Sequence, residues 1–270
     1  MAWTQRTVER DGIRLVCRDW PGQGPDVLLL HGLAGHAGEW DGIARALSPW
    51  YHVVAVDQRG HGDSERHPGD VSRAAYVADV VTVAGRLGLH RPVLVGQSLG
   101  GHTALLTTAA HPGLARALVC VEAGPGGPDP DVPSRIGGWL DTWPVPFPSR
   151  GAAAGFFGGG AVGEGWAAGL EQRDDGWWPR FDRDVMVASL AENARRSSWE
   201  EWSSISCPTL AVWAQRSIIE PREADEMFVR QPGLRGVSVP GAGHDLHLER
   251  PGLLSRVIRD FLDEVTGASA

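Results

Sequence analysis

Val93-Leu94-Val95-Gly96-Gln97-Ser98-Leu99-Gly100, running on into His102-Thr103-Ala104-Leu105-Leu106-Thr107-Thr108-Ala109-Ala110, decides the fold. A short apolar run reads as a buried strand, and the segment after Ser98 reads as a helix. Between them lies Gly96-Gln97-Ser98-Leu99-Gly100, a G-x-S-x-G pattern. With 36 glycines in 270 residues, chance alone gives that pattern in roughly one such chain in four. Its position between strand and helix is what gives it weight. A nucleophile elbow needs that order, with glycines where the turn is crowded and the serine at the helix N-terminus. Ser98 is therefore the candidate nucleophile. The N–H of Leu99 then points at the same spot and can bind an oxyanion.

Working outward, similar apolar runs recur: Val27–Leu30, Val53–Val56, Ala117–Val121 and Leu210–Trp213, with a shorter one at Val237–Val239. They are near-continuous rather than alternating, which fits strands buried on both faces of a parallel sheet. Thr7-Val8 and Ile13–Val16 around Asp11-Gly12 read as an opening antiparallel hairpin. Chemistry in parallel sheets collects at the carboxyl ends of the strands. Those ends carry His31-Gly32, Asp57, Ser98, Glu122 and Gly243-His244.

The rhythm breaks between residues 125 and 204. That stretch is rich in Gly, Pro and Trp, and no strand is evident in it. It reads as a helical cap inserted over the site, with residues 1–124 and 205–270 forming the core. Gly151–Gly160 reads as a turn. Trp143 and Trp178 are candidates for lining an apolar pocket, with the competing reading that the cap's aromatics form its own small core.

Together these motifs resemble the α/β-hydrolase family over nearly the whole chain. His31-Gly32-Leu33-Ala34-Gly35 looks like the family's oxyanion loop, which implies that the Leu33 N–H is the second oxyanion donor. Asp57-Gln58-Arg59-Gly60-His61-Gly62-Asp63-Ser64 looks like its structural D-x-R-G-x-G-x-S segment. Gly241-Ala242-Gly243-His244 looks like the loop that carries the general base. The implied fold is α/β, a mostly parallel sheet flanked by helices with an inserted cap.

A serine hydroxyl needs a base, and the base needs a fixed tautomer. Of the ten histidines, His244 follows a short strand in a glycine loop and comes after Ser98. His31 and His61 belong to other motifs and are expected to hold loops, as His102 is expected to be structural. His247 is a candidate for the pocket mouth. The acid departs from the family pattern. In most relatives an Asp follows the strand that here is Leu210–Trp213, and that register places Ser217 at the acid position. Glu122, at the end of the strand after the nucleophile, offers a replacement. Some haloalkane dehalogenases and fungal resorcylic-lactone hydrolases resemble this layout. Glu220 is the alternative acid.

A serine at position 98 sets aside epoxide hydrolase and dehalogenase chemistry, both of which need a carboxylate there. Acyl transfer remains: a carboxylic ester or lactone of a small apolar or aromatic molecule, with thioesters, amides and C–C bonds of ring-cleavage products as alternatives. A non-catalytic ligand-binding member of the fold is the other class. No metal-ligand or phosphate-loop spacing is present, so neither cofactor nor metal is expected. A net charge of -8 (33 acidic against 25 basic residues, all of the latter Arg) argues against nucleic acid and anionic membrane as partners. Three scattered cysteines, Cys17, Cys120 and Cys207, form neither a disulfide framework nor a zinc site. With no signal-peptide pattern and no apolar run of spanning length, a cytoplasmic protein acting on a small-molecule substrate is expected.

Overall fold

In the computed structural model, which describes residues 2–267, an eight-stranded sheet runs through the molecule. In chain order the elements begin β1 (Thr4–Arg10), β2 (Ile13–Trp20), β3 (Asp26–Leu30), a 3-10 turn (Ala37–Trp40), α1 (Asp41–Leu47) and β4 (His52–Asp57). They continue with α2 (Arg73–Arg86), β5 (Val93–Gln97), α3 (Leu99–Ala110) and β6 (Ala117–Val121). The inserted stretch holds α4 (Val132–Asp141), α5 (Arg150–Phe156), α6 (Gly160–Ala168), β7 (Leu170–Arg173), β8 (Gly176–Pro179), α7 (Arg183–Ser189) and α8 (Trp199–Ser204). The chain closes with β9 (Thr209–Ala214), α9 (Pro221–Arg230), β10 (Arg235–Val239), α10 (Leu246–Glu249) and α11 (Pro251–Thr266).

The strand order is β1-β2-β4-β3-β5-β6-β9-β10. β1 and β2 form the expected hairpin, and Asp11 and Gly12 take φ of 51° and 78° at its tip. From β4 to β10 every pairing is parallel. The near-continuous apolar runs are explained by two cores, one on each face. Leu29, Val53 and Val95 face α1 and α11 residues such as Ile43 and Ile258, whereas Leu28, Leu30 and Val54 pack with Val80 and Leu105 of α2 and α3. Each such fully buried aliphatic side chain contributes about 1.5–3 kcal/mol. Among the described residues no helix is long and apolar enough to cross a membrane.

The inserted stretch differs from the sequence reading in three respects. It contains a hairpin, β7 with β8, that was not expected. Its strands have four residues each, too short to show alternation, and the turn is made by Asp174-Asp175 before Gly176, whose φ is 142°. Gly151–Gly160 is not one turn: it supplies most of α5 and the start of α6, joined through Gly158 and Gly159 at φ of 92° and 68°. Last, α8 packs with the sheet core, because Trp202 is fully buried beside Leu105 and its indole N–H donates to the Met227 carbonyl at 3.1 Å. The remaining helices build a third apolar cluster around Trp143, Phe147 and Met186.

Candidate active site

The turn after β5 is crowded by design. A Cβ on Gly96 would lie 2.2 Å from the Gly100 carbonyl oxygen, and one on Gly100 would lie 2.3 Å from that of Leu30. Only hydrogen at these positions lets α3 cross so close to β5 and β3. Ser98 is held in this turn at φ 51°, ψ −119°, a conformation that costs a non-glycine residue about 1–3 kcal/mol and that the surrounding ladder enforces. Its own N–H continues that ladder to the Val121 carbonyl at 3.0 Å. Ser98 thus stands at the N-terminus of α3, bordering a cavity of about 550 Å³.

Glu122 stands one strand over, immediately after β6. It also takes a positive φ, 50°, while its N–H pairs with the Val212 carbonyl at 2.9 Å. Its side chain is fully buried. Four donors converge on the carboxylate. Oε1 accepts from the Ala214 N–H at 2.7 Å and the Ser217 hydroxyl at 2.8 Å, and Oε2 accepts from the Ile218 N–H at 3.1 Å and His244 Nδ1 at 3.3 Å. Burial alone would raise the carboxyl pKa. The donors, His244 foremost among them, outweigh burial and hold it below its usual range.

His244 lies in the loop between β10 and α10, with its side chain about one-third exposed. Its Nδ1 faces Glu122. Its Nε2 lies 3.2 Å from the amide nitrogen of Gln97, which also donates to the His244 carbonyl at 3.1 Å. Because the Gln97 amide nitrogen can only donate, Nε2 is the acceptor and the ring proton sits on Nδ1, toward the carboxylate. Ser98, Glu122 and His244 all border the one cavity, as do Leu33 and Leu99. The Leu33 and Leu99 N–H groups have no hydrogen-bond partner among the described residues, and neither does Ser98 Oγ. Glu220, the alternative acid, is not part of this arrangement. It is exposed at the N-cap of α9 and, among the described residues, makes no side-chain cap hydrogen bond.

The other motif residues are structural supports. His31 Nε2 accepts from the Gln58 N–H at 3.0 Å and His61 Nε2 from the Ala34 N–H at 3.1 Å. Asp57 accepts from the N–H groups of Ala37 and Asp63, and Arg59 makes a bidentate pair with Asp79 at 2.6 Å. These bonds fix the loop that presents Leu33. His102 is bonded through Nε2 to the Ser198 hydroxyl at 3.0 Å, and it also borders the cavity.

The pocket-lining expectations need correction. Helix α4 turns Val132, Ile136 and Trp139 toward the cavity beside Ser98, and Trp166 joins them. Trp143 is buried edge-on against Phe157 and Phe181, in the inserted stretch's own apolar cluster. With Trp178 it borders a different cavity, of about 340 Å³. His247 does not line the mouth either. Its side chain is 1% exposed, and its Nε2 lies 3.2 Å from Glu39 Oε2, with burial favouring the neutral imidazole. Burial likewise pushes the Glu39 carboxyl up to about 8.

Residues not singled out from the sequence complete the site: Gln97, Glu39, Glu223 and Asp245 all border the cavity. The variable position of the elbow pattern was the one available signal for Gln97. Asp245 is tied to the inserted stretch by the Trp166 indole N–H at 3.1 Å.

Comparison with known proteins agrees with this architecture. The chain is 29% identical over 266 residues to the sn-1-specific diacylglycerol lipase of Mus musculus, covering 90% of this chain and 80% of that protein. It is 25% identical over 266 residues to 2-(acetamidomethylene)succinate hydrolase of Mesorhizobium japonicum, covering 96% and 95%. A solved enol-lactonase from Burkholderia xenovorans superposes with a TM-score of 0.78 at 20% identity, over 96% of this chain and 99% of that one, which speaks to the fold. Residues 27–257 match the Alpha/beta hydrolase family, and this chain belongs to that family.

Proposed function

We propose that this hydrolase cleaves a carboxylic ester or lactone of a small apolar or aromatic molecule through an acyl-enzyme on Ser98. The observation that carries the reading is the tautomer-fixing contact between His244 Nδ1 and the buried, four-fold-bonded carboxylate of Glu122, in the cavity that Ser98 borders. The mechanism follows from it. Ser98 Oγ attacks the substrate carbonyl while His244 Nε2 takes its proton, and Glu122 stabilises the imidazolium that forms. The Leu33 and Leu99 N–H groups receive the developing oxyanion. His244 then protonates the leaving oxygen, activates a water against the acyl-enzyme and returns the proton to Ser98. Residues 125–204 act as the cap that shields the acyl-enzyme, and Trp139 and Trp166 give the cavity its aromatic wall.

The test is covalent labelling. A fluorophosphonate probe labels the purified protein at Ser98, as read by peptide mass mapping, and Ser98→Ala abolishes it. A panel of esters, lactones, thioesters and amides then ranks the acyl groups, with esters and lactones turned over fastest. A well-folded protein that resists even the smallest organophosphorus probe overturns the acyl-enzyme reading in favour of a ligand-binding one.

A further inference from the structure

The ionisable side chains around the cavity are uneven in sign. Asp245 reaches it from the loop that carries His244, with one carboxylate oxygen accepting from the Trp166 indole. Glu223 reaches it from α9, accepting from the Gly126 N–H at 2.8 Å. It approaches so closely that a Cβ on Gly124 would lie 2.4 Å from its Oε1. Glu39 also borders it, but burial holds that carboxyl protonated at neutral pH, so it adds no charge. Arg73 lies behind the wall, bonded to the Leu99 carbonyl and the Thr103 hydroxyl, and is not among the residues that border the cavity. The Arg196 guanidinium pairs with Glu201 at 2.7 Å, and His102 is bonded to Ser198 and held neutral by burial beside Arg73 and Arg196. Among the described residues that border the cavity, no arginine is left without an acidic partner. Most of the remaining wall is apolar, from Val132, Ile136, Trp139, Leu190 and Ile218.

A carboxylate entering this space sheds hydration, finds no unpaired arginine on the wall and meets the like charge of Asp245 and Glu223. A neutral group of similar size gives up far less. We propose that the cavity selects an uncharged ester or lactone over one bearing a carboxylate, and that Asp245 and Glu223 set that preference. The inference rests on the acyl-transfer reading above and adds the substrate's charge class to it. Repulsion of this kind supplies specificity by disfavouring the wrong ligand rather than by adding contacts to the right one.

The experiment compares 4-nitrophenyl hexanoate with the mono-4-nitrophenyl ester of adipic acid, a pair differing by a terminal carboxylate. At neutral pH and low salt, kcat/KM for the acid ester falls at least about tenfold below that for the neutral one, and the gap narrows at about 0.5 M NaCl. Asp245→Asn combined with Glu223→Gln brings the ratio to within about threefold, mainly through the KM of the acid ester. A wild-type ratio near one, or a ratio unmoved in a double variant with native circular dichroism, overturns the proposal. Hydrolysis of neither ester by the folded wild type would count against acyl transfer alone. Hexanamide and adipamic acid then report the charge preference by thermal shift: stabilisation by the neutral amide only supports it, and equal or reversed ranking overturns it.

Discussion

Glu122→Gln keeps the shape of the buried acid and removes its charge, so it isolates what the charge does. In the proposed mechanism His244 becomes an imidazolium with Nδ1 3.3 Å from Glu122 Oε2. At an effective dielectric of about 20, opposite unit charges at that separation attract by about 5 kcal/mol. At about 1.4 kcal/mol per decade this corresponds to between three and four orders of magnitude in kcat/KM. The amide adds a second fault. Its nitrogen takes the place either of Oε1, facing the Ala214 N–H and the Ser217 hydroxyl, or of Oε2, facing the Ile218 N–H and His244. If it faces His244, it forces the tautomer whose Nε2 bears the proton and cannot accept one from Ser98. One unmet donor also costs roughly 1–3 kcal/mol of stability. Steady-state hydrolysis of a neutral 4-nitrophenyl ester, with near-ultraviolet circular dichroism and urea unfolding as fold controls, reads both effects. A folded Glu122→Gln protein within tenfold of wild type would refute the reasoning, all the more so if Glu220→Gln were inactive.

Further outcomes follow from the same geometry. The folded-state pKa of Glu122 lies below the ordinary 4.5, so its ionisation adds stability that is complete above that value and is lost as pH falls through the folded one. Glu122→Gln therefore narrows its stability deficit in urea melts as the buffer is taken from pH 6 toward pH 3. Glu39 behaves in the opposite sense. With a folded pKa of about 8 against an ordinary 4.5, it makes the protein less stable as pH rises through that window. The melting temperature of Glu39→Gln should thus gain on wild type from pH 5 to pH 8, and a constant difference would argue against the neutral acid. Gly100→Ala places a Cβ 2.3 Å from the Leu30 carbonyl oxygen, a clash with backbone that costs about 1–3 kcal/mol in urea unfolding and displaces Ser98. Trp166→Phe removes the indole N–H that holds Asp245. It is expected to speed tryptic cleavage within the cap, with only a small change in melting temperature.

The placement of Ser98, Glu122 and His244 around one cavity was legible because its requirements are local. A serine at a strand-to-helix turn needs Gly96 and Gly100 next to it, and a base in a tight loop needs Gly241 and Gly243, so the backbone constraint is written beside the functional side chain. Glu122 was legible through register, since it follows the last buried residue of an apolar run. The inserted stretch was far less readable. Trp139 lies in α4 and Trp143 just past its end, four residues apart, yet one borders the cavity and the other fills the third apolar cluster. Trp143 packs on Phe157 and Phe181, both further along the chain. His247 misled for a similar reason: its partner, Glu39, lies 208 residues away. The β7–β8 hairpin rests on strands too short for periodicity to show, and α8 reads as cap until Trp202 is seen beneath the core.

The hydrogen bond from Ser217 to Glu122 has a consequence for how these two positions can change. With a hydroxyl at 217, the carboxylate at 122 gains a donor at 2.8 Å. An aspartate at 217 would set two carboxylates against each other at that spacing, and one of them would have to stay protonated. The fitness effect of either residue therefore depends on which one occupies the other position, a case of epistasis across neighbouring strands. In such a pair a carboxylate at one position favours a hydrogen-bond donor over a second carboxylate at the other.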